Sequence, residues 1–152
     1  MSPSPDNNPA APLIHGGPFV YVILTPLMVW GVLVGVLWFA KQPGVVCITP
    51  LAWLLAFWSG TQYVNLSQGV PDRYPLLAPL LIGAAVGLGE GILFIVVTSL
   101  GMPATTPEDA VKAQVISAGI LVAGILLCAG LCALTAMLRL RSYAREQIPP
   151  PG

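Results

Sequence analysis

The sequence predicts an all-α integral membrane protein, with four transmembrane helices in an antiparallel bundle. Of its 152 residues, 56% are hydrophobic and only 8% are charged, whereas an average soluble domain is about 25% charged. The mean hydropathy is +0.84. Such a composition cannot supply the ionised surface of a soluble protein, and it is the opposite of the charge-rich, apolar-poor composition of disordered chains.

Four long apolar runs are the third observation, and they cover residues 19–40, 44–66, 75–100 and 113–138. Each is long enough to cross a hydrocarbon core of about 30 Å at 1.5 Å per residue. The third run contains the only ionisable acidic or basic side chain within them, Glu90. A soluble amphipathic helix would carry a charged stripe, and strands of a membrane barrel would alternate polar and apolar residues. We therefore predict four helices, which satisfy their own backbone groups in lipid.

Proline-rich segments flank this domain at residues 1–18 and 146–152. The first has no Lys or Arg, so it lacks the basic region of a signal peptide, and we expect the first apolar run to be retained. Both segments offer little apolar surface to bury and are predicted to be disordered tails. The transmembrane domain is thus predicted over residues 19–145.

The fourth helix has a recognisable start that precedes its apolar run. Thr106 is suited to the N-cap, Pro107 to the first helical position, and Glu108 and Asp109 to the first turn. This pattern predicts that the helix extends into water at this end. At its other end three arginines continue beyond the apolar run.

The basic residues predict the orientation in the membrane. With both termini inside, four basic residues lie inside (Arg73, Arg139, Arg141, Arg145) and two outside (Lys41, Lys112). We therefore expect both termini to be cytoplasmic, in the plasma membrane. The six basic and six acidic residues cancel and form no basic patch, so no nucleic-acid partner is expected.

Small residues recur at helical spacing on three of the predicted helices. The third helix has two overlapping G-x-x-x-G motifs, formed by Gly83, Gly87 and Gly91. The fourth helix has a matching stripe of small residues, Gly124, Cys128, Cys132 and Ala136. The first helix has one G-x-x-x-G motif, Gly31 and Gly35. Such faces allow helix backbones to approach closely in lipid. They indicate either an interface between subunits or packing of the third helix on the fourth, and we favour the packing within the chain.

Three prolines stand in similar local sequences, Pro26 and Pro50 in Thr-Pro-Leu and Pro79 in Ala-Pro-Leu. A proline inside a helix removes a backbone donor and bends the helix. The repeat indicates either matched kinks around a site, as in transporters built from repeats, or coincidence in a leucine- and proline-rich chain. We favour coincidence.

Glu90 is the candidate functional residue. An ionised side chain at the centre of a membrane helix costs about 3 kcal/mol on insertion scales, and such residues commonly serve ion or proton pathways. Helical spacing places Glu90 on the face of Gly83 and Gly87. No Lys, Arg or His lies in the predicted spans, so desolvation favours the protonated form, bonded to a neighbour such as Gln62 or Thr98. Glu90 is either a proton or cation carrier or a structural hydrogen-bonding residue, and the structural role is slightly favoured.

A glycine-rich helix that carries a membrane-embedded Glu resembles the proteolipid ring subunits of rotary ATPases over residues 83–91. In that family the glycine repeat and the essential acid normally lie on different helices of a hairpin. Here both occupy the third helix, and no second glycine-rich hairpin is present. We do not assign the chain to that family.

Other polar residues do not predict a catalytic site. A set late in the second helix, including Tyr63, indicates a polar vestibule or a helix end in the headgroup layer with Tyr63 as aromatic anchor; we favour the helix end. The single histidine, His15, lies in the first tail, away from any haem, metal or Ser-His chemistry in the membrane. Cys128 and Cys132 are not spaced as a C-x-x-C pair. We expect no cofactor, no metal and no enzymatic activity.

Two functions therefore fit the sequence. The first is a structural or accessory subunit that assembles with itself or with other membrane proteins through small-residue faces. The second is a small transporter or channel that moves protons or cations through Glu90. The short connections and the lack of a catalytic set favour the first.

Overall fold

A computed structural model describes residues 12–39, 49–70, 72–101 and 107–146. They form four α-helices: α1 (Gly16–Phe39), α2 (Thr49–Leu66), α3 (Leu77–Gly101) and α4 (Pro107–Glu146). The predicted all-helical class is confirmed for these residues. The connections after α1 and α3, with Cys47 and the proposed N-cap Thr106, lie outside the described residues.

Three of the four helices are long and apolar enough to cross a membrane, over Gly16–Leu33, Leu77–Ile95 and Gln114–Glu146. This agrees with an integral membrane protein. Helix α2 is shorter, with 18 residues, and carries polar side chains over its last two turns. By length and composition α2 is therefore not established as a fourth span.

Helix α1 begins at Gly16, inside the segment expected to be a disordered tail. The Phe19 N–H donates to the His15 carbonyl oxygen at 3.0 Å and closes the first turn. Pro18 lies in this turn, where its missing N–H leaves no helical hydrogen bond unmade. Helix α1 therefore starts before the apolar run, because polar capping and not contact with lipid determines where its first turn begins.

Helix α4 begins with Pro107 at its first position, as predicted, and continues to Glu146. Near its start Lys112 and Glu108 form an exposed ion pair at 2.8 Å with i,i+4 spacing, which supports an isolated helical turn by a few tenths of a kcal/mol.

The four helices alternate in direction. Gly83 of α3 lies against the backbone of Cys128, and Gly91 lies against Leu121, so α3 and α4 run antiparallel. Helix α3 also packs on α2 and α1. Two clusters of packed apolar side chains join α1, α2 and α3 and give the register of these helices. One cluster contains Val22, Tyr63, Ala78 and Ile82. The other, at a different level of the bundle, contains Trp30, Ala52 and Leu93.

These clusters show that α1 runs parallel to α3 and antiparallel to α2. Each helix is therefore opposite in direction to its neighbour in sequence. Helix α3 has the other three helices around it, with its most extensive packing on α4.

Pro26 lies within α1, beyond the first turn of that helix. Pro50 is the second residue of α2 and Pro79 the third of α3. The first turn of a helix has no intrahelical partners for its N–H groups, so a proline there breaks no hydrogen bond. The interpretation of three matched kinks is therefore not supported, and Pro50 and Pro79 act at helix starts.

The end of α2 is tied to α4. Gln68 and Gly69 have φ values of 55° and 70°, in the left-handed region that glycine adopts most readily. A Cβ atom at Gly69 would also lie 2.9 Å from Cγ of Tyr143. Glycine is thus needed here for its conformation and for the contact, which brings the α2–α3 connection against the C-terminal part of α4.

Candidate functional site

Glu90 lies in the interior of the bundle, on the side of α3 that faces α4. The residue is 8% exposed. The Cys128 thiol of α4 donates to Oε2 of Glu90 at 3.9 Å, and a Cβ atom at Gly124 would lie 3.9 Å from the same oxygen. The carboxyl group therefore points between helices and not into lipid, in contact with a weak thiol donor.

Glycines on both helices create this arrangement. A Cβ atom at Gly87 would lie 2.7 Å from the carbonyl oxygen of Gly124, closer than real Cβ contacts allow. Gly83 and Gly91 also meet α4 too closely for a side chain. The structure thus places the glycine stripe of α3 against α4 of the same chain, beside Glu90. On α4 the predicted stripe is inward, with Cys128, Cys132 and Ala136 fully buried.

Gln62, one of the hydrogen-bond partners that the sequence offers for Glu90, is not brought to it. Tyr63, next to Gln62, packs at the level of Ala78 and Ile82, and Glu90 is about two helical turns further along α3. Gln62 and Glu90 are therefore separated along the bundle. The side chain of Thr98 lies outside the described residues, so its predicted role stays a prediction.

Within the described ranges, no group of three His, Cys, Asp or Glu side chains is placed to hold a metal ion. Cys128 and Cys132 are buried free thiols. Cys128 contacts Glu90, while the backbone carbonyl of Cys132 accepts a hydrogen bond from the Thr135 hydroxyl at 3.0 Å.

A second polar site lies at the end of the bundle where α1 and α3 begin, and sequence analysis does not predict it. Its centre is the Asp72 carboxylate, whose side chain is 2% exposed. His15 Nδ1 lies 2.5 Å from Asp72 Oδ1, and the Tyr63 hydroxyl donates to Asp72 Oδ2 at 2.5 Å. The backbone N–H of His15 also contacts Asp72 Oδ1 and the Tyr63 oxygen, each at 3.2 Å. We call these three residues the His15–Asp72–Tyr63 cluster.

Three separate elements supply this cluster. Tyr63 comes from the last turn of α2, Asp72 from the α2–α3 connection, and His15 from the residue before α1. A backbone hydrogen bond from the Arg73 N–H to the Pro12 carbonyl at 3.1 Å runs beside it. The segment before α1 is thus bound to the α2–α3 connection by side chains and backbone together.

Electrostatics favour a carboxylate at this place. The Asp72 carboxylate accepts the N–H of His15 at the N-terminus of α1, where the helix dipole stabilises a negative charge. With Nδ1 of His15 directed at Asp72, a neutral ring carries its proton on Nδ1, and Nε2 is left as the acceptor. His15 is 24% exposed at its side chain, so its ring lies at the border between the bundle and its surroundings.

A neighbouring group fixes the end of α4 at the same end of the bundle. The Arg139 Nε–H donates to Asn65 Oδ1 at 2.9 Å, and the guanidinium lies 4.7 Å from the centroid of the Tyr143 ring. Glu146 lies 3.8 Å from Arg139 Nη1. Side chains late in α2 therefore face inward to polar partners.

Two expectations about this end differ from the structure. Tyr63 is 3% exposed and bonded to Asp72, so its expected role as an anchor in the headgroup layer is wrong. His15 belongs to the folded domain, whereas its place in a proline-rich tail predicts no contact. Pro18, a residue suited to a first helical turn, is the local signal that α1 could start early; the pairing with Asp72 has no local signal.

Comparison of the chain with models of known protein families, with curated proteins and with solved structures finds no match.

Proposed function

We propose that this chain is a structural or accessory subunit of a membrane assembly, with no enzymatic activity of its own. In this proposal all four helices cross the plasma membrane and both termini are cytoplasmic. The alternation of helix directions supports α2 as the fourth span, because α2 packs along α3 and α4, which are both long and apolar enough to cross. The basic residues near the ends of α2 and α4 support the orientation.

The observation that carries the proposal is an uncovered G-x-x-x-G motif on α1. A Cβ atom at Gly31 or at Gly35 would meet nothing within 4 Å. Gly83, Gly87 and Gly91 of α3 are covered by α4, but these two lie on the outer side of α1, next to exposed Met28 and Val32. Within the described helices, α1 therefore offers a small-residue surface that the chain leaves free.

Such a surface favours another helix over lipid. Between membrane helices there is no hydrophobic driving force, so association depends on close van der Waals packing, which small residues permit. Glycine within a helix weakens it relative to alanine by roughly 1 kcal/mol. Two glycines one turn apart on an exposed face are consistent with a helix of another subunit, or of a second copy, that crosses α1 there.

The experiment measures the mass of the complex extracted from its own membrane in mild detergent, for the wild type and for Gly31→Leu and Gly35→Leu. Each leucine side chain should extend away from the outer side of α1, where the Cβ position meets nothing within 4 Å. The fold of the chain should therefore be kept. We expect the wild type to be recovered in a complex larger than one chain, with its partners identified by mass spectrometry. Both variants should lose that complex.

The control is Val32→Leu, which places the same side chain at a neighbouring position of α1 where the native side chain is already large and 68% exposed. It should leave the mass of the complex unchanged. A wild type that runs as a single chain, or leucine variants that keep the full complex, would contradict the proposal.

A second candidate function is proton or cation transport through Glu90. One observation favours it: a carboxyl group buried in the membrane-spanning part of α3 is contacted by a thiol at 3.9 Å, a weak donor. A residue kept only for structural hydrogen bonding would be expected to have stronger partners. Substitution of Glu90 by Gln, followed by flux measurement, tests it.

A further inference from the structure

The His15–Asp72–Tyr63 cluster contains the only histidine of the chain. Histidine is the side chain whose ordinary titration lies between about pH 5 and pH 8. Here its ring is not free at the surface, since Nδ1 lies 2.5 Å from a carboxylate that is itself buried. A change in its charge therefore acts directly on one of the two shortest contacts in the cluster.

This contact holds the start of α1, a helix of which little is buried within the chain. In its membrane-spanning window 17% of residues are buried, against 44% in that of α3. The main contacts of α1 are with α2 and α3. Around its first turn, apolar packing of Ile14 and Phe19 is joined by polar contacts, through His15 to Asp72 and Tyr63 and through Pro12 to the backbone of Arg73.

We propose that the His15–Asp72–Tyr63 cluster is a proton-binding latch, which fastens the start of α1 to the α2–α3 connection more tightly when His15 carries a proton. The ligand is a proton, and Nε2 of His15 is the atom that binds it. The proposal goes beyond the subunit function and does not depend on it.

The charges around His15 determine the direction of the effect. Asp72 from the connection and Tyr63 from α2 face the ring or its backbone, and Arg73 follows Asp72 but is exposed. In the protonated state the Nδ1–H bond joins a cation to an anion; in the neutral state the same bond remains but only the acceptor is charged. Protonation therefore adds a Coulombic attraction between the ring and the carboxylate that the neutral ring lacks. The positive end of α1 disfavours a cation, and the adjacent Asp72 carboxylate opposes this.

The first test is ¹⁵N NMR of the His15 ring in the full chain in lipid nanodiscs. Because Nδ1 faces the carboxylate, we expect the neutral ring to be the Nδ1–H tautomer, with Nε2 as the site that gains the proton on acidification. In Asp72→Asn the Nδ1–H tautomer should lose its dominance. A neutral His15 with its proton on Nε2 in the wild type would overturn the proposal.

The second test is amide hydrogen exchange of residues 12–23 from about pH 5 to about pH 9, a range that brackets histidine titration. The matched variant is His15→Gln, which keeps a side-chain N–H donor but cannot take a proton. At each pH the exchange rate of the variant is divided by that of the wild type, which cancels the intrinsic pH dependence. We expect this ratio to fall about tenfold from the acid to the alkaline end, because the neutral ring lacks the Coulombic attraction to Asp72 that the protonated ring has.

A ratio that stays constant with pH overturns the latch, whatever the NMR result. If His15→Gln does not fold, Asp72→Asn replaces it as the variant in the ratio. In that case too, a ratio that does not change with pH contradicts the proposal. An internal control is the exchange of residues 120–135 of α4, which should show the same ratio at every pH. Loss of the subunit function would leave these measurements unchanged, so the two proposals fail separately.

Discussion

At the scale of single residues, Glu90 and Asp72 show two ways of keeping a carboxyl group inside this protein. Asp72 is held by His15 and Tyr63 at 2.5 Å each, which satisfies a buried charge. Glu90 has a thiol at 3.9 Å, which cannot compensate an anion in the middle of a membrane. The contacts of Asp72 satisfy its carboxylate, whereas Glu90 has one weak donor among the described residues.

Substitution of Glu90 by Gln separates its two possible roles. Gln has nearly the same shape and remains neutral, so packing against Gly124 and Cys128 should be kept. If Glu90 carries protons or cations, Glu90→Gln abolishes flux into proteoliposomes that contain a pH-sensitive dye or a radioactive cation under an imposed membrane potential. If Glu90 is structural, the variant folds and the wild type itself shows no flux.

The matched control is Glu108→Gln, the same chemical change at an exposed residue paired with Lys112. It should retain all wild-type flux. Equal flux in wild type, Glu90→Gln and Glu108→Gln would end the transport hypothesis, even if the chain conducts by another route.

At the scale of helices, the space around each glycine differs from one helix face to the next. Gly87 touches the backbone of α4, and the contacting atoms are backbone atoms of Gly124 and Ile125, which cannot move aside as the end of a flexible side chain can. Gly130 of α4 has nothing within 4 Å of its Cβ position. Identical substitutions at these two sites should therefore have different effects on stability.

We expect Gly87→Ala to destabilise the bundle by about 1 to 3 kcal/mol, the usual cost of overpacking, since its Cβ would lie 2.7 Å from the Gly124 carbonyl oxygen and 2.8 Å from the Ile125 Cα atom. Gly130→Ala should be neutral or stabilising by up to about 1 kcal/mol, from helix propensity alone. Denaturant unfolding in detergent micelles, followed by circular dichroism, measures both. Two variants of equal stability would show that α3 and α4 are not packed as described.

Local sequence signals were sufficient for the helices and insufficient for the polar cluster. Apolar runs and the Thr106-Pro107 start predict the described helix ends to within a few residues, except that α4 continues to Glu146, beyond the apolar run that ends at residue 138. His15 and Asp72 are 57 residues apart in the chain, and helical periodicity carries no information on contacts at that distance. The role of Pro50 likewise depends on a helix boundary, which an apolar run locates only to within a turn.

The surroundings of Glu90 likewise could be predicted from the sequence only in part. The shared face of Glu90 and the α3 glycines follows from a period of 3.6 residues. Which helix covers that face does not, because both α4 of this chain and a second subunit could supply it. Only the packed structure shows Cys128 and Gly124 beside the carboxyl group.

At the scale of the whole molecule, charge is distributed unequally between the two ends of the bundle. The end where α1 and α3 begin holds Arg73, Arg139, Arg141 and Arg145, whereas the described part of the opposite end has one basic residue, Lys112, paired with Glu108. The buried carboxylate of Asp72 lies at the same end, where it is hydrogen-bonded to His15 and Tyr63. The net positive end should face the cytoplasm.

The number of spans then determines on which sides the termini lie. If α2 crosses the membrane with the other three helices, both termini are on one side; if only α1, α3 and α4 cross, they are on opposite sides. We expect Ser2→Cys and Gly152→Cys, each in a chain with Cys47→Ser, to be shielded from a membrane-impermeant thiol reagent in intact cells and to react after permeabilisation. Lys112→Cys should react in intact cells. Reaction of one terminal cysteine alone would establish three spans, and reaction of both would reverse the orientation while preserving four.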